Sequence, residues 1–329
     1  MTDSNKSILV TGGAGYIGSV LTGLLLNRGY KVRVIDKLKF GGASLIPYLP
    51  HPKFEFITGD ICRQDDLKPA LEHIDAVVHL AAVVGDPACA KFPEEAERTN
   101  KDGSELLARL AIKEGVERFV FASTCSNYGK MDDPDGFVDE SSPLRPVSLY
   151  AELKVGFEQY LMKLIQKGFT PVILRFATAY GLSPRPRFDL TVNEFTRDLA
   201  LGKKLEIYGE KFWRPYCHTI DLARAVIAAL DAASDKVSKK AFNVGSTSEN
   251  YQKKTLAKMI LKELPDAKDL VSYVHRDEDP RDYRVNFERI KTDLAFETTK
   301  TVPDGIKELV FAIKSGLIDN PDSPAYRNL

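Results

Sequence analysis

The sequence predicts an α/β fold: a doubly wound, parallel sheet followed by a smaller, mixed α/β lobe. Three observations carry this. Six short β-rich runs alternate with helical patterns over the first 180 residues; a glycine-punctuated turn links the first run to the first helix; and the alternation weakens after about Gly181. Strands that alternate with helices imply crossovers, and hence a parallel sheet covered on both faces. The first run, Lys6–Thr11, stops at glycines, and Val20, Leu21, Leu24 and Leu25 then recur at helical spacing until Asn27-Arg28-Gly29. Lys31–Asp36, Phe54–Ile57, Ala76–Leu80, Arg118–Ala122 and Pro171–Phe176 read as the next five strands, and Pro93–Lys113 as the clearest helix. Ser183-Pro184-Arg185-Pro186-Arg187-Phe188-Asp189 must be a loop. Helical stretches at Val192–Leu201, Asp221–Asp231, Thr255–Leu264 and Asp304–Ser315 are assigned mainly to the second lobe. The expected division is residues 1–180 as a dinucleotide-binding domain, with parts of about 215–245 returning to it, and 181–329 mainly as a substrate lobe.

Composition narrows the class. At 329 residues and 43% hydrophobic, the chain can bury a sizeable core. Lys+Arg and Asp+Glu both total 46, so no net field draws it to nucleic acid or a membrane surface. No apolar stretch approaches the roughly 20 residues of a membrane span, and the N-terminus shows no signal-peptide pattern. Four scattered cysteines (Cys62, Cys89, Cys125, Cys217) read as reduced thiols, and the five histidines lack metal-ligand spacing, so no metal is expected. A cytoplasmic protein is the expectation.

Thr11-Gly12-Gly13-Ala14-Gly15-Tyr16-Ile17-Gly18 lies between a strand and a helix, where backbone N–H groups and the helix dipole can face a pyrophosphate. This is the phosphate turn of a Rossmann-type domain. Asp36 ends the next strand about 20 residues on and suits the adenosine ribose hydroxyls, which favours NAD over NADP; Lys37 and Lys39 soften that preference. Asp60-Ile61 is placed at the adenine edge, and Leu80-Ala81-Ala82 offers small residues beside the cofactor.

Downstream, Tyr150 and Lys154 are i and i+4 on a helix and so share a face. An ammonium ~4 Å from the phenol would contribute roughly 4 kcal/mol at an effective dielectric near 20, or about three pKa units. That would bring the phenol toward neutrality, where acid/base catalysis works best.

Together these motifs resemble the extended short-chain dehydrogenase/reductases of the NAD-dependent epimerase/dehydratase family, which act on nucleotide-activated sugars. The resemblance covers nearly the whole chain: the glycine loop, His79-Leu80-Ala81-Ala82, Asn100 with Gly103, Ser123–Gly129, Tyr150–Lys154, Leu174-Arg175-Phe176, Tyr180-Gly181, Arg214–Asp221 and Phe242–Gly245. It implies bound NAD, Tyr150 as general acid/base, Lys154 on the nicotinamide ribose, and Thr124 (or Ser123) on the reacting hydroxyl, with Asn100 among the cofactor residues. For a nucleotide-sugar substrate it implies Arg214 at the diphosphate, with Arg281, Arg185, Arg187, Asn193 and Asp86 around it. It also implies a homodimer through helices near Pro93–Lys113 and Leu149–Gln166. Sugar 4,6-dehydratases resemble Thr-Asp-Glu at strand five, whereas here Cys125 and Ser126 follow Thr124, which disfavours dehydration; Cys125 is expected mainly as a small wall residue. The resemblance thus implies a nucleotide-sugar C4 epimerase. The loop after Gly181 also resembles a branch with GDP-heptose 4-dehydrogenases, so a 4-dehydrogenase or reductase releasing a keto-sugar is the alternative. A non-catalytic dinucleotide-binding regulator is the rival from another class.

Overall fold

The computed structural model describes residues 6–133, 135–164, 166–276 and 281–328. Twelve strands are described: β1 (Ser7–Thr11), β2 (Lys31–Asp36), β3 (Phe54–Thr58), β4 (Ala76–His79), β5 (Arg118–Thr124), β6 (Thr170–Phe176), β7 (Thr178–Tyr180), β8 (Leu205–Tyr208), β9 (Trp213–His218), β10 (Lys240–Val244), β11 (Asn250–Gln252) and β12 (Val271–Val274). Seven form one parallel sheet in the order β3-β2-β1-β4-β5-β6-β10. The winding reverses between β1 and β4, and the crevice beyond the carboxyl ends of the strands at such a switch point is where ligands bind.

The strands are apolar on both faces because both are covered. On one side Ile8, Val10, Val78, Val120 and Val172 pack against Leu21 and Leu25 of α1 (Tyr16–Asn27) and Leu222 and Val226 of a later helix, Thr219–Asp231. On the other, Leu9, Val77, Phe119 and Phe121 meet α2 (Gln64–Leu71) and two helices further on, Ser104–Lys113 and Leu149–Lys163.

In chain order the remaining helices are α3 (Asp86–Lys91), α4 (Pro93–Glu97), α5 (Ser104–Lys113), α6 (Leu149–Lys163), α7 (Thr191–Ala200), α8 (Thr219–Asp231), α9 (Ser234–Val237), α10 (Lys253–Glu263), α11 (Glu288–Leu294) and α12 (Val302–Lys314). The helix expected unbroken from Pro93 to Lys113 is interrupted by a π-helical turn at Arg98–Gly103. The reason is tertiary: the buried Asn100 spends its side-chain amide on the backbone of Val83, accepting from its N–H at 2.8 Å and donating to its carbonyl at 2.9 Å. The helix expected over Asp221–Asp231 belongs, as α8, to the cover of the main sheet, and β10 extends that sheet. The second lobe is built instead from α7, α10 and α12 around Val192, Leu256, Ile260, Ile306 and Leu309. Two small sheets edge it, β11-β9-β7 and β12-β8. Among the described residues no helix is long and apolar enough to cross a membrane.

Candidate active site

A cavity of about 530 Å³ runs along the carboxyl ends of the main sheet. Gly12, Gly15, Tyr16, Ile17 and Gly18 line it at the start of α1. The loop can only be glycine where the chain folds on itself. Gly12 has φ +73°, and a Cβ there would sit 2.8 Å from the Ala81 nitrogen; one on Gly18 would lie 2.3 Å from the Gly12 carbonyl oxygen. Gly15 caps α1 without a side-chain bond and no acid occupies the first turn, so the helix opens with bare N–H groups, a cradle suited to a pyrophosphate.

Asp36, Asp60, Ile61, Leu80, Ala81 and Ala82 border the same cavity. Asp36 accepts from the backbone N–H groups of Ala14 (3.1 Å) and Leu38 (2.8 Å), one on each oxygen, which leaves acceptor capacity for ribose hydroxyls. Burial raises its pKa. Lys37 and Lys39, which the sequence set against NAD, both pair with Glu95 of α4, at 3.0 and 2.7 Å, so a carboxylate offsets their charge.

Two expected contacts take other parts. Asn100 does not line the cavity; it fixes Val83, and neighbouring Thr99 faces the space instead. Asn193 is also turned to backbone, accepting from Gly181 N–H (2.9 Å) and donating to the carbonyl oxygens of Arg187 (2.8 Å) and Gly181 (3.2 Å). The Tyr16 hydroxyl donates to the Gly181 carbonyl at 2.6 Å, so its side chain clamps the two lobes together. Sequence spacing cannot show such long-range bonds to backbone.

The chemical groups lie at the ends of β5 and α6. Ser148 starts α6 by accepting from Ala151 N–H (3.3 Å), and its hydroxyl donates to Asp86 at 2.7 Å, which sets Tyr150 within the first turn. Thr124, Tyr150 and Lys154 all line the cavity. Ser123 is instead tied to Glu158 and Asn127. Cys125 is not a wall residue: it is 1% exposed, absent from the lining, and its thiol donates to the Arg175 carbonyl at 3.2 Å. Burial drives that thiol well above its usual pKa.

The electrostatics differ from the sequence expectation. Lys154 Nζ donates to the Ala122 carbonyl at 2.8 Å and lies 4.7 Å from the centre of the Phe121 ring and 5.8 Å from that of Tyr150. Burial and, secondarily, Cys89 and Asp86 push the Tyr150 phenol well up, while Arg187 pulls it down. The phenol is therefore not near neutrality in the protein alone.

Burial also lowers Lys154 to about 8, against 10.5 for an ordinary lysine. Between those values the unfolded chain binds more protons than the folded one. Stability therefore rises with pH across that window, and below about pH 8 the full cost is present. The gap corresponds to about 3 kcal/mol. Lys154→Met is expected to raise Tm at pH 7, less so near pH 10, while turnover is lost. Scanning calorimetry at both pH values measures this; a lower Tm at pH 7 would mean the ammonium is net stabilising.

At the other wall Asp86 pairs with Arg281. Of the stretch that carries this arginine, Asp279 and Pro280 lie outside the described residues. Arg187 lies against Asp189 as a two-point pair, at 2.9 and 2.7 Å. Arg214 donates to the Trp213 carbonyl at 2.7 Å and sits 5.3 Å from the Tyr283 ring centre. All three arginines line the cavity. Arg185 does too, and its guanidinium lies over Phe40 (4.4 Å), four residues beyond Asp36. Asp189 and Asn328, which the sequence did not single out, also border the space. The Arg187-x-Asp189 spacing in a proline-bounded loop was the available signal for Asp189.

Residues 8–245 match the model of the NAD dependent epimerase/dehydratase family. The chain belongs to that family. Its cofactor is accordingly NAD, which the glycine cradle and Asp36 fit. A dTDP-glucose 4,6-dehydratase of Streptomyces niveus is 31% identical over 92% of this chain and 91% of its own length. The dTDP-glucose 4,6-dehydratase of Streptomyces venezuelae, solved with NAD bound, superposes with a TM-score of 0.84 at 28% identity, covering 94% of this chain and 98% of that one. UDP-glucose 4-epimerase of Thermotoga maritima, solved with UDP-glucose, gives 0.83 at 27%, covering 94% and 99%. The chain is thus an enzyme of a nucleotide-sugar family.

Proposed function

We propose that the protein is an NAD-dependent nucleotide-sugar epimerase acting at the sugar C4. One observation carries the reading: Thr124, Tyr150 and Lys154 share a cavity with the glycine cradle, and no carboxylate follows Thr124. Bound NAD supplies the hydride acceptor and returns the hydride. Tyr150 takes the C4 hydroxyl proton and gives it back to the same oxygen when the rotated 4-keto sugar is reduced on its opposite face, so the overall reaction is proton- and redox-neutral. Thr124 Oγ1 holds that hydroxyl; it also accepts from Ser126 N–H at 3.1 Å, which fixes its rotamer. Lys154, anchored on Ala122, holds the nicotinamide ribose and keeps positive charge on the phenol's side. Arg214, Arg187 and Arg281 face the substrate diphosphate and sugar, where a guanidinium's paired donors suit phosphate oxygens.

The dehydratases among the relatives raise elimination as a competitor. The side chains after Thr124 speak against it, since Cys125 points into the core and Ser126 carries no carboxyl. Release of a keto-sugar is separated by experiment. With a panel of UDP-, dTDP- and GDP-sugars deuterated at C4, the expected product is the C4 epimer with its deuterium retained and no NADH accumulating at 340 nm. Stoichiometric NADH would instead mark a dehydrogenase, a 4-keto-6-deoxy product a dehydratase, and no turnover of any sugar a regulator. The same proposal includes a homodimer through α5 and α6. Gly156 leaves open space on the exposed face of α6 where a second helix could approach. Light scattering that gives a monomer mass would remove that part.

A further inference from the structure

We infer that Arg185, held by the C-terminal segment Ser323–Asn328, is a ligand of the ADP half of the cofactor. The reading rests on NAD occupying the cavity and not on which sugar is turned over. Arg185 is 6% exposed yet lines the cavity. Its guanidinium lies on the face of Phe40, just beyond the β2 carboxyl end that presents Asp36. One terminal nitrogen donates to backbone carbonyls of the segment, Arg327 at 3.1 Å and Ala325 at 3.5 Å. Its Nε is buried with no hydrogen-bond partner. A buried cationic N–H without an acceptor is costly, and a ligand oxygen arriving there would recover the loss. The guanidinium's seat on Phe40, four residues beyond Asp36, puts the open Nε toward the adenosine side, within a charge environment set by Arg187, Asp189 and Asp36.

The segment is built onto the loop that carries Arg185. Phe188 N–H donates to the Tyr326 carbonyl (2.8 Å), the two rings meet edge-on at 5.9 Å, and Asn328 N–H donates to Asp189 at 3.1 Å. Asn328 reaches the cavity, and its Oδ1 is likewise buried without a partner. Two unsatisfied polar groups, from segments more than 140 residues apart in sequence, thus belong to residues that border the same cavity. The segment acts as a brace: it fixes the guanidinium through carbonyls, leaving Nε for the ligand.

Calorimetric titration of full-length protein with ADP-ribose, ADP and adenosine tests this, with folding checked by thermal melts. Arg185→Ala is expected to weaken ADP-ribose by about 10- to 100-fold, the loss typical of one charge-assisted hydrogen bond. A chain stopped after Asp322 should lose a similar factor, and combining the two changes should add less than about threefold, because both remove the same contact. Binding of UDP and dTDP should stay unchanged. Arg185→Lys, which keeps charge but lacks Nε, should recover only part and remains informative if the shortened chain fails to fold. A loss shared by adenosine would put the acceptor on the ribose, and a loss confined to ADP and ADP-ribose on the phosphates; both support the assignment. ADP-ribose binding by Arg185→Ala within twofold of the native protein overturns it. Asp36→Ala serves as reference: if it weakens binding and Arg185→Ala does not, the brace is wrong and the NAD site stands, whereas silence from both would remove NAD from this cavity as well.

Discussion

Replacing Tyr150 by Phe should lower kcat by ~10³-fold, within the range that a positioned general acid/base contributes, while ADP-ribose binding stays within a few-fold. The two effects separate because the groups separate. The cradle for the ADP half belongs to Gly12, Gly15, Gly18 and Asp36, and the phenol to α6. Other proton carriers nearby are already engaged. Asp86 is paired with Arg281 and accepts from Ser148. Cys89 donates to the Val83 carbonyl (3.4 Å), and burial pushes its thiol up to about 11. The Cys125 thiol is sealed in the core. Since burial holds the phenol well above its ordinary value, Arg187 and Lys154 are the local charges left to draw its proton off. The native kcat should accordingly climb with pH along an acidic limb, and the variant's residual rate should lack it. Steady-state epimerisation of the preferred sugar, followed by product NMR across pH, measures both. A Phe variant that retains more than a tenth of native kcat would place the base elsewhere.

How much of this was legible beforehand depends on the range of the interaction. The glycine loop and the Tyr150–Lys154 pair are local patterns, strand-turn-helix and i, i+4, and the fold brings them to one cavity. The family resemblance implies Asn100 and Asn193 as ligands, yet a buried amide is satisfied by whatever backbone tertiary structure supplies, here Val83, Gly181 and Arg187. For Arg185 the resemblance implies a place near the substrate, through the loop that carries it. Which wall it joins is decided by residues near 40 and 326, from opposite ends of the chain. Nor does i, i+4 spacing show burial, which raises the Tyr150 phenol. One feature was readable and passed over. Arg175 interrupts an otherwise apolar strand, and Glu158 lies one turn beyond Lys154 on the same helical stripe.

That pair yields the largest stability effect expected outside the site. Arg175 and Glu158 side chains are 7% and 4% exposed, joined by contacts of 2.7 to 3.2 Å. A network surrounds them: Ser123 and Asn127 donate to Glu158, and Arg175 donates to Tyr128 (3.0 Å), which donates to Asn243 at 2.7 Å. Glu158→Ala leaves a buried guanidinium uncompensated and should cost about 3–5 kcal/mol, a fall in Tm of roughly 5 °C for a chain of this length. Replacing both partners, as in Glu158→Met with Arg175→Met, removes the orphaned charge and should recover much of the loss, since a buried ion pair is seldom better than apolar packing of similar volume. The coupling in that cycle isolates the pair. Why retain it, then? The network joins the end of β5, which bears Thr124, to the stripe of α6 that bears Tyr150 and Lys154. Stability alone does not account for such a connection; alignment of the hydroxyl with the phenol does. The double variant should therefore melt near the native temperature yet show a reduced kcat with an unchanged affinity for ADP-ribose. Full activity in a stable double variant would reduce the network to packing, because nothing else in it touches the reacting groups.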